Sequence, residues 1–154
     1  MTYTVQDNYL PIEQYNKVEN YCYNAQYTYG ELDLPDKPPT GMVHNLTLNH
    51  PILNYFKKNQ QGFTLYRAYI NYFGSQEQPY FHQDDGNLTS LFYVHNTPVL
   101  DINENGCTEL YIDNTHLVGI FPIPNRLLTF KAEILHRATS LRTKPRFTLA
   151  LKYK

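Results

Sequence analysis

From Phe63 to Tyr153 the chain is written in a two-residue period interrupted by turn signals, and this pattern constrains its fold more than any other. In FTLYRAYINYF (63–73), Tyr66, Ala68, Ile70 and Tyr72 share one face, while Arg67 and Asn71 take the other. LTSLFYVHN (88–96) is apolar on both faces, as for a strand covered on both sides. CTELYID follows the turn signal Asn105-Gly106. The run from His116 to Leu141 reads as strand, turn at residues 122–125, strand, bend, strand. In RFTLALKY, Phe147, Leu149, Leu151 and Tyr153 form an apolar face, and Arg146, Thr148, Ala150 and Lys152 form the opposite one. Short strands with turns between them, preceded by helices, predict a mainly β chain: a sandwich or barrel with helical backing.

Residues 1–62 read as helical and loop support for that core. PIEQYNKVENYC starts with Pro11, suited to a first helical turn, and spaces Ile12, Tyr15 and Val18 on one face. LDLPDKPPTGM is too rich in Pro and Gly for regular structure, and HPILNYFKKNQ predicts a second short amphipathic helix ending near Gly62. The 154 residues make one domain, divided at 62/63 into support and β core. With 42% hydrophobic and 18% charged residues the chain is globular and not disordered. The first residues lack a basic segment followed by an apolar run, and no apolar run approaches membrane-span length. A soluble, cytoplasmic protein without membrane contact is therefore expected. Cys22 and Cys107 have no paired spacing and read as reduced thiols.

Charge is unevenly spread. Thirteen of the 14 acids precede Thr115, and eight of the 13 Lys/Arg follow it. Two faces that neutralise each other explain this simply; a basic rim gathering an anion is the sharper alternative. The basic residues are dispersed among apolar strand residues, which argues against a nucleic-acid groove.

Chemistry concentrates in PYFHQDDGN. In extended chain, i and i+2 side chains share a face, so His82 and Asp84 would aim at a common spot. An imidazole and a carboxylate are two of the three ligands of a facial metal triad. In a chain with six His such a pair alone carries little. A third ligand must come from His44, His50, His95, His116 or His136. In KAEILHRAT, His136 shares its face with Ala132, Ile134 and Ala138 and would point inward, as a hydrogen-bonded core histidine also would. Arg146 and Thr148 face either solvent or a cavity, and in a cavity the guanidinium would need an anion. Periodicity does not choose between the two.

Taken together, His82-x-Asp84, His136 and, ten residues on, Arg146-x-Thr148 resemble the motif set of the 2-oxoglutarate/Fe(II)-dependent oxygenases, over about residues 63–153. Within that superfamily the likeness is closest to the prolyl 4-hydroxylase-like branch, in its small bacterial and phage-type members. Tyr72-x-Gly74 lies ten residues before the first ligand, NGCTELYI resembles a Gly-Gly-x-Thr strand entry, and FPIPNRLLTFKAEILHRA resembles the approach to the distal His. The resemblance implies a double-stranded β-helix (jelly-roll, cupin-like) core. It implies His82, Asp84 and His136 as Fe(II) ligands, and Arg146 on the distal carboxylate of 2-oxoglutarate with Thr148, Tyr72 and Tyr93 assisting. O2 would be the other co-substrate, succinate and CO2 the co-products, and ascorbate a supporting reductant. The metal centre carries the chemistry, with no separate acid or base. The implied substrate is a prolyl residue in a peptide or protein, with Arg137 and Lys152 as candidate contacts and the 72–82 loop as a rim over the site.

This chain also departs from the pattern. Asn125 stands for a turn Gly, Cys107 for an acid, and Lys152 for a Trp that many prolyl hydroxylases carry near the substrate. Two rival readings stay open: the same chemistry on a free amino acid, another side chain or a nucleobase, and a non-catalytic jelly-roll binding module.

Overall fold

The alternation after Gly62 resolves into two facing antiparallel sheets in the computed structural model, which describes residues 2–29, 32–95 and 101–154. In chain order the strands are β1 (Tyr3–Gln6), β2 (Met42–Leu46), β3 (Asn59–Gln60), β4 (Phe63–Phe73), β5 (Leu88–Val94), β6 (Thr108–Ile112), β7 (His116–Ile120), β8 (Leu127–Lys131), β9 (Leu135–Ala138) and β10 (Arg146–Tyr153). The major sheet runs β1-β8-β5-β10-β4-β2 with β3 beside β4; the minor sheet runs β7-β6-β9. This is the expected double-stranded β-helix. Asn96, the last residue of the strand expected over 88–96, lies outside the described residues.

Each face of the major sheet has its own core, and strand periodicity decides which residues enter it. On one face Phe147, Leu149, Leu151 and Tyr153 pack with Ala68, Ile70 and Phe92 beneath helix α1 (Ile12–Asn24). On the other, Tyr69, Leu91, Tyr93, Leu128, Phe130 and Ala150 meet Leu110 and Ile120 of the minor sheet. The predicted helical face is shifted: Tyr15, Val18 and Cys22 are buried, whereas Ile12 is 67% exposed at the first turn. Both cysteines are free thiols.

Residues 1–62 do more than support the core. β1 pairs with β8 and β2 with β4, so the N-terminal region supplies both edges of the major sheet. The burial of β1 is one-sided and slight, as suits an edge strand, and leaves little periodic signal. The second helix is also corrected. Pro51–Tyr55 forms only a 3₁₀ turn capped by His50, and Asn59–Gln60 forms β3 against β4. Tyr66 leaves its predicted face, because a register shift against Lys152 and Tyr153 places Leu65 in the core instead. No described helix is long and apolar enough to cross a membrane.

The charge asymmetry is resolved by pairing across the fold. Arg126 holds Asp7 through Nε at 2.6 Å and Nη2 at 3.0 Å, Arg137 holds Glu109 at 2.6 Å, and Lys152 pairs with Asp84. Three basic side chains from the end of the chain thus meet acids from its first part.

Candidate metal and carboxylate site

Backbone pairing, not a regular strand, brings His82 to His136. The segment before β5 runs extended beside β9, and the two residues exchange both amide bonds, each 2.9 Å. Asp84 N–H donates to Ala132 O at 3.0 Å, which sets the register two residues further on. The two imidazole centroids lie 4.5 Å apart, and the ligand atoms of His82, Asp84 and His136 all lie within 4.8 Å of one another.

The imidazoles are oriented as ligands. His82 Nδ1 sits 3.0 Å from Tyr80 O and His136 Nδ1 2.7 Å from Ile134 O. A carbonyl only accepts, so each Nδ1 donates there and each Nε2 is turned to the centre, His136 Nε2 lying 3.2 Å from Asp84 Oδ2. Burial and the neighbouring His136 push His82 below the ordinary histidine range, which favours the neutral form that binds metal. Burial works to raise the Asp84 carboxyl, but Lys152 and His136 outweigh it and hold the group ionised, well below the usual carboxylate range. Two imidazoles and one ionised carboxylate suit Fe(II) or a similar first-row divalent cation.

Beside the triad, a cavity of about 420 Å³ opens between the sheets. Arg146, Thr148 and Lys152 line it from β10, and Tyr69 and Asn71 from β4. Arg146 is 1% exposed. Its Nε donates to Gly106 O, Nη1 to Thr148 Oγ1 and Nη2 to Thr108 Oγ1, each at 2.9 Å, with the guanidinium carbon 5.5 Å from the Tyr93 ring centre. Among the described residues no carboxylate pairs with it. Burial lowers its pKa from the free-arginine value. One N–H remains on each terminal nitrogen, a fork matched to a carboxylate from outside. Tyr93 itself is fully buried and donates to Thr108 Oγ1 at 2.7 Å, and burial, opposed by Arg146, pushes its phenol up to about 12.

The geometry thus brings together His82, Asp84, His136, Arg146, Thr148 and Tyr93. Tyr72 is not among them. Opposite residues in a ladder share a face, and Tyr72 pairs with Phe147, so its ring lies 5.2 Å from Phe147 in the helix-backed core. Its neighbour Asn71, paired with Thr148, faces the cavity instead. The sequence signal erred because the apolar face of β4 is inward toward the helix, not toward the site.

Arg137 lies off the cavity, tied to Glu109 and stacked 4.5 Å from the Phe81 ring centre. Lys152 does border the cavity, but its ammonium is engaged with Asp84 and Thr89 rather than reaching outward. The remaining histidines serve elsewhere: His44 meets Tyr21, His50 caps a turn, His116 meets Asp113, and His95 is buried near Arg146. The 72–82 loop is stitched down by Glu77, whose carboxylate accepts from Gly41 N–H at 2.8 Å and Gly74 N–H at 2.5 Å, while its carbonyl accepts from Ser140.

Four contributors escaped sequence reading. Thr108 and the Gly106 carbonyl brace Arg146, and Thr89 donates to Asp84 Oδ2 at 2.6 Å. Asp33 stands 3.6 Å from His82 Nδ1 and accepts from Tyr80 N–H and the Thr40 hydroxyl, each at 2.8 Å. It belongs to a Pro-rich loop whose composition signals only irregular backbone. Gly106 and Thr108 alone had a pointer, as the second Gly and the Thr of the strand-entry pattern.

No protein-family model matches the chain, and no curated protein matches it by sequence. Solved structures do match. A prolyl-4-hydroxylase from Pseudomonas putida superposes with TM-score 0.78 at 9% identity, covering 99% of this chain and 93% of that one. A prolyl hydroxylase from Trichoplax adhaerens, in complex with a peptide fragment of the hypoxia inducible factor oxygen degradation domain, gives 0.76 at 14%, covering 99% and 83%. HygX from Streptomyces hygroscopicus, with nickel and 2-oxoglutarate bound, gives 0.70 at 10%, covering 99% and 82%. Across its length the chain has the double-stranded β-helix fold of these prolyl hydroxylase and 2-oxoglutarate–Fe(II) oxygenase structures.

Proposed function

We propose that the protein is an Fe(II)- and 2-oxoglutarate-dependent dioxygenase that hydroxylates a C–H bond, with a prolyl residue of a peptide or protein as substrate. One observation carries this reading: a buried guanidinium without a carboxylate partner among the described residues borders the same cavity as the His82, Asp84 and His136 donors. A binding module without an anionic ligand has no reason to keep such a charge inside, where an uncompensated guanidinium is costly.

In this reading His82, Asp84 and His136 hold Fe(II), and Arg146 with Thr148 holds the far carboxylate of 2-oxoglutarate. Thr108, Gly106 and Tyr93 keep the planar guanidinium fixed, so the co-substrate is oriented on binding. Sheets on both sides exclude water from the inner end of the cavity. Fe(II), 2-oxoglutarate and O2 together supply the oxidising chemistry that converts C–H to C–OH, with succinate and CO2 as co-products. A peptide substrate is supported by a second groove of about 580 Å³ that shares Pro79 and Ala138 with the cavity and continues past Arg137 and Thr139. Arg137 lies in this groove and becomes the candidate substrate contact.

The test begins without oxygen. Fe(II) and 2-oxoglutarate added to purified protein should develop a weak visible absorption band, and admitting air should yield succinate. Absence of both overturns the oxygenase reading. A panel of proline-containing peptides, read for a mass gain of one oxygen, tests the substrate, and His82→Ala should abolish turnover.

A further inference from the structure

We infer that Lys152 is a positioning residue for the metal site, acting through Asp84, and that Thr89 completes the clamp. The inference rests on the reading of His82, Asp84 and His136 as metal ligands. It concerns how this chain holds its carboxylate between the two imidazoles.

Lys152 and Asp84 are both almost fully buried, at 5% and 9% side-chain exposure. The ammonium donates to Asp84 Oδ2 and also reaches the Thr89 hydroxyl at 3.2 Å. Thr89 donates to the same Oδ2 at 2.6 Å. Both donors therefore end on Oδ2, the oxygen that also lies 3.2 Å from His136 Nε2. Oδ1 lies toward His82, 3.7 Å from its Nε2, so each oxygen faces one imidazole. With Oδ2 held by two donors, the carboxylate is fixed in place between the two imidazoles.

The clamp is built into the sheet. Lys152 pairs with Thr89 across β10 and β5, so the two donors sit side by side on the cavity face. Lys152 also pairs with Arg67 across β10 and β4. Two cations directly opposite each other repel, and an anion in the same face relieves this. Lys152 is thus a fixed part of the site floor.

A simpler view makes Lys152 a bystander charge, and the two views differ in sign. A bystander ammonium repels a bound cation, so removing it should tighten metal binding. A positioning ammonium orients a ligand, and loss of such outer partners weakens metal affinity by about 10–100-fold. Co(II) binding to the metal-free protein, followed by visible absorption, separates them without relying on turnover. The wild-type protein should bind one Co(II), and His82→Ala should lose it. Lys152→Met, nearly isosteric and uncharged, should bind Co(II) about 10–100-fold more weakly. Equal or tighter binding by a folded Lys152→Met overturns the inference and leaves the metal reading intact. Failure of the wild-type protein to bind Co(II) overturns both. Should Lys152→Met not fold, Thr89→Val keeps the test alive: it removes the other Oδ2 donor, and unchanged affinity there overturns the clamp.

Discussion

At the scale of single residues, Arg146 separates what the site does from what the fold needs. Its three bonds to Gly106, Thr148 and Thr108 hold the side chain, and one N–H on each terminal nitrogen is left for a ligand. Arg146→Lys keeps the charge but replaces the planar fork with a point charge on a flexible stem. Losing two charge-assisted bonds, each about 1.5–3 kcal/mol, should raise the KM for 2-oxoglutarate by roughly 10²–10⁴-fold. Iron retention should change little, since Arg146 touches none of His82, Asp84 or His136. Steady-state kinetics with 2-oxoglutarate varied, alongside metal analysis of the same preparations, checks both halves; iron loss with unchanged KM contradicts the assignment.

The same residue shows how far side-chain roles were legible. The sequence placed Arg146, Thr148 and Lys152 on one face of a strand, but periodicity alone left that face open to solvent or cavity. Only the opposing sheet decides, and its position is a tertiary fact. Tyr72 failed for a related reason. In a sheet with a core on each face, apolar does not mean site-facing, and one residue along the strand reverses the answer.

At the scale of elements, the turn before β8 carries an unexpected staple. Asn125 has φ 64°, the left-handed region, where the resemblance led one to expect Gly. Its side chain also accepts from Leu10 N–H at 2.9 Å and donates to Leu10 O at 2.8 Å, tying the turn to the start of α1. Asn125→Gly keeps the backbone angle and loses both bonds, leaving a buried amide and carbonyl without partners. It should destabilise by about 2–4 kcal/mol, with Asn125→Ala worse because of strain. Denaturant midpoints of the three proteins test the order. The central strands β4, β5, β8 and β10 were readable because each pairs with neighbours on both sides and keeps a strand-like apolar run. β1 and β2 were not, since edge strands satisfy half their bonds and bury little.

At the scale of the whole molecule, stability should fall in mild acid because of His95. This side chain is 2% exposed, and among the described residues its Nε2 has no hydrogen-bond partner. Burial, with Arg146 and Lys144 nearby, pushes its pKa down to about 3. The unfolded chain binds a proton near pH 6.5, so between about 6.5 and 3 it holds more protons than the folded one. Stability is therefore full above that window and declines as pH falls through it, by at most ~1.4 kcal/mol per pH unit for this group. His95→Leu removes the titrating group and the orphaned nitrogen together. Thermal melts from pH 7 to 4 should show a flatter acid limb for the variant than for the wild-type protein; parallel limbs would assign the acid loss elsewhere.

β10 lies at the centre of the major sheet, with one face in the helix-backed core and the other in the cavity. A slip of one residue would turn Phe147, Leu149 and Leu151 toward the metal donors and drive Arg146 and Lys152 beneath the helix. Such a chain has neither a site nor a core. The strand is in effect its own proofreader: any copy of the protein that has folded has also set its ligand-binding face in register. A one-residue deletion between Arg146 and Tyr153 would abolish folding, never the site alone.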